Sequence, residues 1–379
     1  MINKMKAWMC YAPNIIEPET VDVPQPADDE ALVEILACGI CYTEYHSYMG
    51  VPGLLGSTGA PLNVRAPVGY TPGHESCGRI VEVGKNVRNF KIGDRVVLSP
   101  GPTCGDGCIV CKSGINNNCI GDGATASFGH FAEFAIAKER NMYKIPDGVG
   151  DFEGAAMESL VEGVRGVRKY SRLGDNTVFF GMEDYNMGAY EMIKNTCTNL
   201  IVVETLTNRR EWLKRIGVKH IVNPDKTDPL EYIDNLMPFG ADVIYVAADA
   251  ALYPTTRKYL SWAYETARVG GRICIMRPYG DDFWHNSAVN IGWIKEVNLQ
   301  FVVGWGDEAW LGGRERGDMN VLAQWISDGR IRADSHFTKV VDFKDINTKA
   351  DVDKLFGMYL DKEVKIAVRI SSVQKPKYV

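Results

Sequence analysis

Four cysteines, Cys104, Cys108, Cys111 and Cys119, fall within 16 residues. The chain start, Met1-Ile-Asn-Lys-Met-Lys-Ala-Trp8, has no apolar signal core. Cysteines clustered behind such a start point to a metal before disulfides. A second set of reactive side chains is spread wider. It comprises Cys41-Tyr42-Thr43-Glu44-Tyr45-His46, then Gly73-His74-Glu75-Ser-Cys-Gly78-Arg-Ile-Val-Glu-Val-Gly84, then Ala155-Ala-Met-Glu158-Ser-Leu. Thiol, imidazole and carboxylate are the groups that zinc takes when one position stays open for substrate or water. Cys38 makes a Cys-x-x-Cys pair with Cys41 but reads as a buried small residue. His130, His220, His285 and His336 lack ligand-like spacing.

These groups need elements to hold them. The first 150 residues read as short strands between Gly, Pro and Asp turns, as in Ala31-Leu-Val-Glu-Ile-Leu and Gly78-Arg-Ile-Val-Glu-Val. That pattern suits a small, irregular β-barrel. The character changes near residue 160. Thr177-Val-Phe-Phe, Leu200-Ile-Val-Val, His220-Ile-Val, Asp242-Val-Ile-Tyr-Val and Gly271-Arg-Ile-Cys-Ile-Met read as buried strands. Helix-length segments intervene, about Met187 to Thr196 and Arg209 to Ile216 among them. Strand alternating with helix signals a parallel doubly wound sheet. An amphipathic helix is expected near Asn320 to Ser327. Phe337-Thr-Lys-Val-Val and Lys365-Ile-Ala-Val-Arg-Ile are expected to be strands that rejoin the first domain.

The bulk numbers set limits. A chain of 379 residues favours two or three domains. Its 45% hydrophobic, 10% aromatic and 24% charged residues suit a globular protein with a full core. A net charge of -6 gives no basic field for nucleic acid. No run approaches 18 apolar residues, so no membrane span is expected and a cytoplasmic location is.

The histidine and cysteine strings, with Arg88-Asn-Phe90-Lys-Ile-Gly93-Asp94-Arg95-Val96, resemble the zinc-dependent medium-chain alcohol and polyol dehydrogenases over nearly the whole chain. The resemblance implies an α/β protein: a GroES-like β-barrel catalytic domain at 1–159, a doubly wound Rossmann domain at 160–304, and a return to the catalytic domain at 305–379. It implies that Cys41 and His74 hold a catalytic zinc. The third ligand is Glu158, or alternatively Glu75. Zinc would act as a Lewis acid on an alcohol oxygen, Thr43 would take the hydroxyl proton and His46 would pass it to solvent. Glu44 would brace a ligand from behind. The string Cys104-x3-Cys108-x2-Cys111-x7-Cys119 resembles the family's structural zinc lobe, one residue longer in its first gap, which Gly105 and Gly107 should absorb.

A dinucleotide fingerprint reads G-x-G-x-x-G after a strand. The aligned string here is Gly181-Met182-Glu183-Asp184-Tyr185-Asn186, so only the first glycine remains. Glu183 should add bulk and negative charge beside the pyrophosphate, and Asn186 should loosen the packing of helix on strand. Arg277, after the strand Ile273-Cys-Ile-Met, is a possible counterweight. Eighteen residues past Asn186 stands Glu204, where the family carries its ribose-binding acid. A carboxylate there favours NAD over NADP, and Arg209 is expected on the adenine side. From Cys41 to His74 is 33 residues, longer than the family suggests, and the excess falls in a Gly/Pro-rich loop over 50–68.

Three functions are weighed. The first is a zinc- and NAD-dependent dehydrogenase of a secondary alcohol, polyol or sugar, working as a homodimer or homotetramer. The second is a zinc lyase, hydratase or hydrolase that has lost dinucleotide redox. The third is a non-catalytic partner subunit.

Overall fold

The computed structural model describes residues 3–50, 69–101, 103–104, 107–116, 119, 128–247, 254–277, 288–307, 313–359 and 362–378. The 50–68 loop and His285 lie outside them, save Gly50. The chain divides into two compact units: Met1–Ser159 with Gly304–Val379, and Leu160–Val303.

The first unit opens on an antiparallel hairpin of β1 (Lys4–Ala12) and β2 (Ile15–Asp22). Its main sheet holds β3 (Glu30–Gly39), β4 (Glu75–Val83), β5 (Arg95–Leu98), β7 (Phe134–Lys138) and β8 (Met142–Lys144), joined by β16 (Phe337–Asp342) and β17 (Lys365–Arg369). A two-residue strand, β6 (Ile115–Asn116), pairs with β15 (Trp305–Gly306). The two late strands do rejoin the early ones, through β17 against β3. Val33, Ile35, Ile80, Val96, Leu98 and Met142 pack one core of this unit. Short helices sit at strand ends. α1 (Tyr42–Met49) follows β3 directly, and α2 (Ile109–Lys112) lies in the cysteine lobe. The long α3 (Asp151–Tyr170) carries Glu158 in its first half. α9 (Asp318–Ser327) and α10 (Lys349–Met358) complete the helices of this unit.

In the second unit, β9 (Thr177–Phe180), β10 (Leu200–Val203), β11 (His220–Val222), β12 (Ala241–Val246), β13 (Ala267–Ile275) and β14 (Asn298–Phe301) form one parallel sheet. The order is β11-β10-β9-β12-β13-β14. This is the doubly wound order 3-2-1-4-5-6, with its switch point between β9 and β12. The strands are apolar because both faces are covered by helices: α4 (Asp184–Ile193), α5 (Thr207–Arg215), α6 (Pro229–Leu236), α7 (Tyr259–Thr266) and α8 (Val289–Ile294). α4 begins three residues before the expected Met187, because the polar Asp184-Tyr-Asn segment that reads as turn is its first turn. Among the described residues no helix is long and apolar enough to cross a membrane.

Candidate metal centres and dinucleotide turn

β3 ends at Gly39, and two residues later Cys41 stands at the N-cap of α1. His74 immediately precedes β4, which is antiparallel to β3, with Glu75 opposite Gly39. The strand pairing therefore delivers two distant segments to one end of the sheet. Glu44, three residues into α1, ties them together. Its Oε2 accepts from the Cys41 backbone N–H at 3.0 Å. Its Oε1 accepts from the Gly73 N–H at 3.2 Å and from His74 Nδ1 at 2.6 Å. With Nδ1 donating to a carboxylate, the imidazole turns Nε2 toward Glu158, whose Oε2 lies 3.9 Å away.

Cys41, Glu44, His74, Glu75 and Glu158 are all buried. Ligand atoms of Cys41, Glu44 and His74 lie within 4.8 Å of one another, and so do those of His74, Glu75 and Glu158. One ion can bridge such separations. The two carboxylates differ in their surroundings. Glu75 is in ion-pair contact with Lys365 Nζ through both oxygens, at 2.8 and 2.7 Å, and both residues have no exposure at all. Lys365 escapes sequence reasoning because nothing local marks a lysine 290 residues away as its partner. Glu75 thus has its own cation, and Glu158 is the carboxylate that faces His74 Nε2.

The protons follow the charges. Burial pushes the Cys41 thiol up to about 12, Glu75 adds to the rise, and His74 opposes it. For His74 burial alone would lower the pKa, but the Glu44 and Glu158 carboxylates outweigh it and hold the ring well above its ordinary value. A divalent cation would replace these protons as the positive charge among the acids, which fits the donor set to zinc. Thr43 and His46 sit half-buried on α1, three residues apart and so on neighbouring turns of one face. His46 meets the Tyr42 ring edge-on at 5.2 Å.

The cysteine lobe has a different character. Cys104 Sγ lies 3.8 Å from Cys111 Sγ, and Cys108 Sγ lies 3.8 Å from Cys119 Sγ. All four sulfurs fall within 4.8 Å of one another. Disulfide sulfurs sit at about 2.05 Å. A tetrahedron with metal–sulfur bonds of about 2.3 Å has edges of about 3.8 Å. The lobe therefore has the dimensions of a closed four-thiolate zinc shell. α2 supplies two of its corners: Cys108 at the N-cap accepts from the Cys111 N–H at 3.4 Å.

At the switch point Gly181 follows β9 with φ +78°, a left-handed angle that favours glycine. Glu183 is the N-cap of α4. Its carboxylate is buried between two arginines. Oε2 is ion-paired with Arg277, and Oε1 lies 3.4 Å from Arg209 Nη1. Arg277 is a buried residue at 4% exposure, not a surface one. Arg209 departs from its expected adenine-side placement: it points at Glu183 and, at 3.9 Å, at Glu204. Glu204 accepts backbone N–H bonds from Met182 and Leu206, both at 2.8 Å, one with each oxygen. The carboxylate expected to meet a ribose is thereby turned onto its own turn.

Asn186 does the opposite of loosening the helix. It is fully buried and its Nδ2 donates to Gly181 O at 2.6 Å and Tyr245 O at 3.3 Å, tying α4 to the ends of β9 and β12. Its Oδ1 has no hydrogen-bond partner among the described residues. Close packing comes instead from glycines that a fingerprint search passes over. A Cβ on Gly188 would lie 2.0 Å from Leu160 O, and one on Gly163 would lie 2.1 Å from Tyr185 O. The residues around this turn suit an anion, and the position it would take is held by Glu183.

Residues 27–147 match the model of the alcohol dehydrogenase GroES-like domain. The sorbitol dehydrogenase of Bacillus subtilis (strain 168) is 31% identical over 278 residues, 72% of this chain and 74% of the relative. The (R,R)-butanediol dehydrogenase of the same strain is 26% identical over 379 residues, 96% of this chain and 99% of the relative. In fold, the chain is similar to a putative zinc-binding dehydrogenase from Sinorhizobium meliloti 1021 bound to NADP. The TM-score is 0.78 at 22% identity, covering 97% of this chain and 99% of that one. Barrel unit, doubly wound unit and relatives agree, and the chain belongs to the zinc-dependent medium-chain dehydrogenase/reductase family.

Proposed function

We propose that the protein is a zinc-dependent oxidoreductase that moves hydride between a secondary alcohol, polyol or sugar and a nicotinamide dinucleotide. The observation that carries this reading is the convergence of Cys41, His74 and Glu158, with Glu44 bracing the imidazole. The relatives named for sorbitol and butanediol point to the substrate class. On this reading residues 1–159 and 305–379 form the catalytic domain and 160–304 the dinucleotide domain.

Cys41, His74 and Glu158 hold one zinc, and Cys104, Cys108, Cys111 and Cys119 hold a second. When bound, zinc supplies the Lewis acid that acidifies an alcohol, and the dinucleotide supplies a hydride acceptor. Thr43 receives the hydroxyl proton, His46 hands it to solvent, and Glu44 fixes the imidazole so that Nε2 faces the ion. Lys365 keeps Glu75 ionised and turned from the metal. Glu204 favours NAD over NADP, since a 2'-phosphate would meet a carboxylate.

The test is NAD-linked oxidation of sorbitol, 2,3-butanediol and related diols, with zinc measured alongside. Turnover should vanish in His74→Ala while circular dichroism stays native. Undiminished turnover in a zinc-free Cys41→Ser variant would overturn the reading. Glu183 keeps a second reading in play, a zinc lyase, hydratase or hydrolase without dinucleotide redox. It would be favoured if the wild-type chain binds neither NAD nor NADP at millimolar concentration.

A further inference from the structure

Resting on the dinucleotide reading above, we propose that Arg209 and Arg277 form a diphosphate-binding pair that the carboxylate of Glu183 fills from within, so that a dinucleotide binds by displacing Glu183.

Three observations meet here. First, the arginines come from different elements, α5 and the segment after β13, yet both reach the same carboxylate at the start of α4. Second, all three groups are buried, at 7% exposure for Glu183, 6% for Arg209 and 4% for Arg277. Buried guanidiniums require an anion, and forked donors match the oxygens of a phosphate as well as those of a carboxylate. Third, Glu183 stands where the fingerprint of this fold has a glycine so that pyrophosphate can approach the backbone. The helix N-terminus and the left-handed turn at Gly181 remain in place. What has changed is the occupant.

Glu183 is long enough to leave. Rotation about its side-chain bonds takes the carboxylate out of the turn without moving α4, and the arginines then face the incoming phosphates. Glu204, anchored by two backbone N–H groups, cannot follow. Glu183 is thus an internal competitor that lowers dinucleotide affinity, and the exchange conserves charge pairing at the two arginines.

The experiment compares wild type, Glu183→Gln, Glu183→Asp and the double variant Glu183→Gln/Arg277→Gln. NADH binding is followed by fluorescence, and inorganic pyrophosphate binding by calorimetry and thermal shift. Glu183→Gln should bind both probes about tenfold tighter or more, the scale of removing one like charge from a shielded site. Glu183→Asp, shorter by one methylene, should gain less in the same direction and guards against a failure of the Gln variant to fold. The double variant should lose the gain. Unchanged or weaker pyrophosphate binding in Glu183→Gln and Glu183→Asp would overturn the proposal. So would a gain that survives loss of Arg277. Tighter pyrophosphate binding with no NADH binding in any variant would uphold the filled site and sink the dehydrogenase reading instead.

Discussion

Glu44 spends one carboxylate on three donors: the Cys41 N–H, the Gly73 N–H and His74 Nδ1. Two metal-ligating segments, 33 residues apart, share this single anchor. Replacing it with Gln leaves at most one acceptor oxygen and one donor, so the imidazole loses its charged partner. We expect Glu44→Gln to weaken zinc binding about 10–100-fold in a chelator competition, with little change in fold. An unaltered affinity would show that Glu44 is ornamental. A second residue sets a pH dependence of stability. Burial and the nearby Glu153 raise Asp334 from its ordinary 3.8 to about 6, against the opposing Lys377 N–H. A raised acid binds its proton more tightly in the folded state. Stability is therefore complete below pH ~4 and falls as pH rises through 6. The difference in stability between Asp334→Asn and wild type should move in the variant's favour by on the order of 2–3 kcal/mol between pH 4 and 7, read by urea melts. A flat difference would refute it. At this scale the sequence showed Cys41, His74, Glu44 and Glu158 through fixed local spacing. Lys365 and the Glu183–Arg277 pair were hidden, since partners so far apart in sequence meet only through the fold.

The packing of α3 on α4 depends on missing side chains. A Cβ at Gly188 meets the Leu160 carbonyl at 2.0 Å, and backbone cannot yield as a flexible side chain can. Alanine would gain about 1 kcal/mol of helix propensity. Against this stands an overpacking cost of about 1–3 kcal/mol, which a clash with backbone puts at its upper end. We expect Gly188→Ala to lower the thermal midpoint, and a rise would mean that the helices separate at no cost. The cysteine lobe makes a separate element-level prediction. Gently purified protein should carry two zinc ions per chain, and Cys108→Ser should carry one. A single zinc in wild type with four titratable thiols would remove the structural site. Strands such as Thr177–Phe180 and Leu200–Val203 were legible because short apolar runs alternate with helix-length polar ones. The start of α4 was not, because Asp and Asn at helix starts look the same as in turns.

The doubly wound sheet ends at β14, which has a neighbour on one side only among the described residues. Beside this edge lie Phe301, at 59% exposure, and Val303, while α8 exposes Trp293 at 81% and Ile294. A parallel sheet seldom leaves such an edge and apolar face to water. We expect a homodimer or a multiple of it, formed by pairing of β14 and burial of Trp293, with a mass of at least two chains in light scattering. A lone chain at micromolar concentration, or a Trp293→Lys variant that assembles unchanged, would count against this surface. The edge strand could be named from sequence because Leu299-Gln-Phe-Val-Val is the last apolar run of the alternating region. Exposure of Trp293 could not, since α8 is too short to show a face by periodicity.

Glu183, Arg209, Arg277 and Glu204 balance to zero charge in a buried cluster. That balance restricts how the chain can evolve. A single step from Glu183 to glycine would restore the family's turn yet strand two guanidiniums away from water. Removing one partner of such a network costs about 3–5 kcal/mol. The benefit to cofactor affinity and the loss of stability thus fall on the same mutation. Reversion becomes neutral only after Arg277 or Arg209 has been replaced, and each of those steps taken first leaves Glu183 under-paired. The three positions form a fitness valley with no level path across it. A saturation library at 183, 209 and 277 should therefore return folded glycine turns only as multiple replacements.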